Sequence, residues 1–224
     1  MIRTALSRRS FVGASAGVVG ALSLTTVGEA AAAPASAPAA GRSWTKDRSA
    51  NGWEVLATAT SFRIEGSGYR VQLAEGDAAT VLLHVARRFN YEIDQLRSGD
   101  VHGWSDDREV AADYESNHLS GTAVAIRPLA YPVGSRGNLY PNELVVVRDI
   151  LTEMDGVVVW GGDFATPKES HFEIAVPPGH PRLKGVARKI RGWEAGPGNE
   201  GAGAVDAFDA KRRSAARAFQ RRTG

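Results

Sequence analysis

Apolar and polar positions alternate in two neighbouring runs, Phe62-Arg63-Ile64 and Tyr69-Arg70-Val71-Gln72-Leu73, with Gly66-Ser67-Gly68 between them. This pattern predicts a β-hairpin, preceded by the shorter run Trp53-Glu54-Val55-Leu56. The period then changes. Val81, Leu82, Val85 and Phe89 recur at helical spacing and predict a core helix from Ala78 to Phe89, with Asp77 as its N-cap. His84 lies inside it and reads as a packed or partly exposed residue. Residues Asn90 to Leu96 lead into a turn, and Arg97 to Tyr114 is polar and rich in Asp and Gly. A second helix is predicted to start at Tyr140-Pro141-Asn142-Glu143, bury Leu144, Val147, Ile150, Leu151 and Met154, and stop at Gly156. Val157 to Trp160 and His171 to Val176 read as short buried strands, and Pro181 to Ile190 as a helix closing on Trp193.

Few helices and several short strands imply a compact, single α+β domain with a small antiparallel sheet flanked by helices. The ends read differently. Ser7-Arg8-Arg9-Ser10-Phe11-Val12-Gly13 is a twin-arginine pattern followed by an apolar run too short and too rich in Gly and Ala to span a bilayer. Residues 1–33 therefore read as a twin-arginine export signal with no stable membrane span, and 34–49 as a disordered Ala/Pro/Ser spacer. The domain is expected over 50–193, a flexible linker over 194–203, and a basic helix over 204–224.

Composition adds two constraints. The 224 residues carry 43% hydrophobic and 23% charged residues and no cysteine, so an exported chain would rely on its core rather than on disulfides. Without residues 1–33 the chain is formally neutral, but Lys211, Arg212, Arg213, Arg217, Arg221 and Arg222 stand against only Asp206 and Asp209 near the C-terminus. That helix reads as a solvated tail, or as a segment that attracts an anionic cell-wall polymer or a membrane surface rather than nucleic acid.

The chemistry is concentrated in two distant motifs. The first is Ser116-Asn117-His118-Leu119-Ser120-Gly121-Thr122-Ala123-Val124-Ala125-Ile126; the second is Trp160-Gly161-Gly162-Asp163 followed by His171-Phe172-Glu173. In layout they resemble the D-alanyl-D-alanine carboxypeptidase (VanY-like) zinc peptidases, with Ser116, His118, Gly121 and Ala123 matching one segment and Asp163 and His171 falling in the other. The resemblance covers about residues 50–193, including Pro132-x-Gly134-x-Arg136-Gly137, and neither tail.

It implies a Hedgehog/D-Ala-D-Ala-peptidase-like architecture, zinc held by His118 and His171, and a peptidoglycan stem peptide as the ligand. It also marks two departures. Ala125 stands where the family places an aspartate ligand, and Lys168 where it places the acidic base. Two imidazoles bind zinc weakly, a lysine beside the metal opposes it further, and loss of a general base removes about 10² to 10⁴ in rate. Weak or absent zinc binding is therefore expected.

Glu169 is the local candidate for a substitute base, although neighbouring residues of an extended segment face opposite ways. Arg108 falls where relatives hold the scissile carbonyl. Ser116 is expected to brace the histidine loop, Asp163 to play a structural part or offer a third ligand, and Glu173 to orient His171. Trp104 and Trp160 read as cleft or core residues, and His102 and His180 as solvated. Together these readings describe an exported, secreted or wall-associated peptidase-like protein that recognises stem peptides and is catalytically impaired. The alternative is an active zinc-dependent murein peptidase with a substitute ligand and base.

Overall fold

The computed structural model describes residues 41–195 and 205–223, all within one unit spanning Ser36–Gly224. The expected export signal, residues 34–40 of the expected spacer and residues 196–203 of the expected linker lie outside the described residues. The strands are β1 (Arg42–Ser43), β2 (Thr60–Arg63), β3 (Arg70–Leu73), β4 (Val101–His102), β5 (Glu109–Val110), β6 (Ala123–Ile126), β7 (Val158–Trp160) and β8 (His171–Ile174). The α-helices are α1 (Asp77–Glu92), α2 (Pro141–Glu153), α3 (Pro181–Glu194) and α4 (Ala210–Thr223), and a 3₁₀ turn covers Asp113–His118.

The centre is a four-stranded antiparallel sheet in the order β4-β6-β8-β7. Every residue of β6 and β8 is buried, so both faces of the sheet are covered. The period-2 geometry of strands divides their side chains. Val124, Ile126, Phe172 and Ile174 join the main core with Leu82, Val85 and Phe89 of α1 and Val147 and Ile150 of α2. Their neighbours Ala125, His171 and Glu173 face the opposite way, and this second face carries the candidate chemistry.

The predicted hairpin forms as β2 paired with β3, Phe62 opposite Val71. Helix α1 begins one residue earlier than expected. Gly76, at φ 88°, occupies the N-cap position without a capping side chain, while the Asp77 carboxylate accepts a hydrogen bond from Arg191 of α3 at 2.9 Å. In α2, Pro141 sits at the helix start and the Glu143 carboxylate accepts the Tyr140 backbone N–H at 2.6 Å.

Two expectations about the ends are corrected. Residues 41–49 are not spacer: β1 pairs with β5, Trp44 is 4% exposed, and its indole N–H donates to the Arg48 carbonyl at 2.9 Å. The C-terminal helix is shorter than expected and is docked rather than solvated. Arg212 makes a two-pronged ion pair with Asp149 of α2 at 2.8 and 2.6 Å, Ala216 is buried, and Phe219 packs on the core. No helix among the described residues is long and apolar enough to cross a membrane.

Candidate functional site

The two histidines meet. His118 closes the 3₁₀ turn and His171 opens β8, and their ring centroids stand 5.2 Å apart, nearly edge-on. Gly161 lets its turn pack closely on the segment that carries His171: a Cβ there would lie 2.4 Å from the Lys168 carbonyl oxygen and 3.0 Å from the His171 Cβ. Gly121, at φ 63°, does the same for the first motif, since a Cβ would come within 2.5 Å of the Ala74 nitrogen.

Each imidazole is tied through one nitrogen. His118 Nδ1–H donates to the Gly103 carbonyl at 2.7 Å, which leaves Nε2 as the nitrogen with a free lone pair. His171 Nε2 lies 2.7 Å from Glu173 Oε2, the same oxygen that accepts from Asn117 Nδ2 at 2.7 Å. The fully buried His171 Nδ1 has no hydrogen-bond partner among the described residues. Burial, then the nearby Lys168 charge, pushes His171 down to about 3. Burial also lifts Glu173 to about 7 against the opposing pull of the Asn117 hydrogen bond, so both members of this pair are driven toward their uncharged forms. His118 is lowered by burial first, then by His171 and Lys168.

The register explains what lies between them. Ala125 of β6 is directly opposite His102 of β4 on one side and His171 of β8 on the other. The transverse row His102–Ala125–His171 therefore has a methyl group at its centre. His102 is exposed, with Nε2 3.2 Å from the Gly99 carbonyl, yet it lines the same cleft as His118, Ala125 and Lys168.

Lys168 extends into this cleft and forms an ion pair with Glu115 at 2.7 Å, the two side chains being 12% and 15% exposed. The other Glu115 oxygen accepts the Ala111 and Ala112 backbone N–H groups at 2.7 and 3.3 Å. Burial alone would raise the Glu115 pKa; the Lys168 hydrogen bond and charge outweigh it and hold the carboxyl below its ordinary value. Tyr114 stacks obliquely on His171 at 4.9 Å, and burial, with Glu115 and Glu173, raises its phenol.

The remaining candidates stand elsewhere. Both Glu169 oxygens are occupied, accepting from Gly137 N, Asn138 N and Asn138 Nδ2, each at 2.8 Å, so its carboxylate clamps the 137–138 loop. Asp163 is ion-paired with Arg148, with the second contact at 2.6 Å. Arg108 is exposed and donates to the Trp44 and Lys46 carbonyls at 2.9 and 3.3 Å, fastening the β1 segment. None of the three lines the cleft. Ser116 accepts from Ala50 N at 2.8 Å and donates to the Asp113 carbonyl at 2.6 Å, a brace for the histidine turn. Trp160 is core, its indole N–H donating to the Glu169 carbonyl at 2.7 Å, whereas Trp104 lines the cleft.

Glu115 was the residue missing from the sequence reading. Its signal was its position three residues before His118, because residues i and i+3 eclipse in a 3₁₀ turn. The cleft encloses about 910 Å³ and mixes Arg70, Gln72 and Glu115 with Val71, Trp104 and Leu129.

These residues do not fit a catalytic zinc. Two imidazole nitrogens are free to bind, but the carboxylates that could add a third ligand are engaged with Lys168, Arg148, His171 or backbone amides. Among the described residues no group of three or more histidine, aspartate or glutamate side chains is placed to hold a metal. Lys168 adds positive charge where a dication would need negative charge. Comparisons with family models, curated proteins and solved structures found no match for the chain.

Proposed function

We propose that this chain is an exported, cell-wall-associated protein whose domain derives from VanY-like zinc peptidases of Hedgehog/D-Ala-D-Ala-peptidase architecture and binds peptidoglycan stem peptides without hydrolysing them. The observation that carries this reading is the Lys168–Glu115 ion pair beside Ala125. A zinc peptidase needs three protein ligands and a base for the metal-bound water. Here an internal ammonium adds positive charge beside the two histidines, and the Glu115 carboxylate is consumed in neutralising it. The meeting of His118 and His171, each braced through its second nitrogen, supports the ancestry. A cleft of about 910 Å³ with polar and apolar walls supports a short peptide as ligand.

One observation favours the second reading, an active zinc-dependent murein peptidase: the buried, unpartnered Nδ1 of His171 is a donor atom left over. Against it, Glu169 and Asp163, the candidate substitutes, are spent on the 137–138 loop and on Arg148. The experiment is a titration of the protein with purified stem peptides by NMR, with chromatography of the same samples after long incubation. Saturable shifts at cleft residues with intact peptide are expected. Release of D-alanine, or no binding, would overturn the proposal.

A further inference from the structure

The C-terminal helix divides its arginines between two tasks. Arg212 turns inward to Asp149, while Arg213, Arg217 and Arg221 lie in a row at four-residue spacing, exposed and without an ion-pair partner among the described residues. Like charges at that spacing weaken a helix, so the row costs stability unless an anion is present. Arg213 and Arg217 form one wall of a groove of about 360 Å³ between α4 and α2. Its apolar floor is Leu144, Val145 and Ala216, and among the described residues no acidic or aromatic side chain lines it. Arg148 on the opposite wall is held by Asp163.

We propose that this groove binds a linear polymer of phosphodiester-linked repeats, independently of the histidine cleft. Three guanidiniums over eight residues span about 12 Å of helix, which suits a repeating anion better than a single one. The planar fork of arginine matches the paired non-ester oxygens of a phosphodiester. The aliphatic floor then receives the carbon segments between phosphates. Single-stranded nucleic acid is disfavoured because its bases stack on aromatic platforms, and this groove has none.

The test is binding of the full chain to poly(glycerol phosphate), with oligothymidylate and poly-glutamate as competitors, at low and moderate salt. The unaltered protein is expected to bind poly(glycerol phosphate) tightest, with affinity falling as salt rises. Replacing Arg213, Arg217 and Arg221 together by Gln is expected to weaken binding by about tenfold or more. The charge-matched control, Lys184, Arg188 and Lys211 to Gln, is expected to change it by less than about twofold. Thermal melting of both variants checks that α4 stays docked, and Val145→Asp, in the floor, is expected to weaken binding with the arginines intact. Absence of binding, equal loss in the two triple variants, or tighter binding of oligothymidylate or poly-glutamate would overturn the proposal.

Discussion

Lys168 and Glu169 are adjacent and both largely buried, and they hold different segments: Lys168 pairs with Glu115 of the 3₁₀ turn, Glu169 with Gly137 and Asn138. Lys168→Ala leaves the Glu115 carboxylate with backbone donors only and is expected to cost about 1–3 kcal/mol in urea unfolding. Glu169→Ala removes the acceptor of two backbone N–H groups, Gly137 and Asn138, and leaves the Asn138 amide with Ser135 alone, with a similar expected loss of about 1–3 kcal/mol. Unchanged stability in Glu169→Ala would remove this clamp from the account of the 137–138 loop. The two histidines, Ala125 and Lys168 stood out in the sequence because each falls at a fixed spacing within the two motifs. The sequence concealed the partners of Lys168 and Glu169. Glu115 lies 53 residues from Lys168 and Asn138 lies 31 from Glu169, and no local pattern records such pairings.

Helical spacing gave α1, α2 and α3 nearly complete, since each has one strongly apolar face. What it did not give is the charged seam where α1, α2 and α4 meet. Arg88, fully buried, contacts Glu92 at 2.6 Å, Asp149 at 2.8 Å and Glu153 at 3.1 Å, and His84 reaches Glu153 at 2.8 Å. A charge on a helix reads as exposed until the partners from other helices are in place. The short strand β1 was equally hidden, because two residues carry no period and Trp44 is buried only by tertiary contact.

The seam makes acid stability testable. Burial by itself would raise Glu153, but the His84 hydrogen bond and the charges of Arg88, His84 and Arg212 outweigh it and hold the carboxyl at about 2 instead of 4.5. Because the folded value is the lower one, the contribution is fully present above about pH 4.5 and is lost as pH falls toward 2. Chemical unfolding from pH 6 downward is expected to lose stability on the order of 3 kcal/mol through this group. In Glu153→Gln that part of the slope should disappear; an unchanged slope would remove Glu153 from the account of acid stability.

At the scale of the whole molecule, one sheet presents a hydrocarbon core on one face and the His118–His171 cleft on the other. On the proposed zinc-peptidase ancestry, Ala125→Asp combined with Lys168→Asp should create zinc uptake that neither single variant has, read by metal analysis after dialysis. The most direct test of the central claim, that an internal lysine–glutamate pair stands in place of a catalytic metal, is a zinc titration of the unaltered protein against a competing chelating indicator at neutral pH. The predicted result is no stoichiometric uptake, with any weak binding outcompeted by the indicator. One zinc per chain held against the indicator, and lost in His118→Ala, would contradict it.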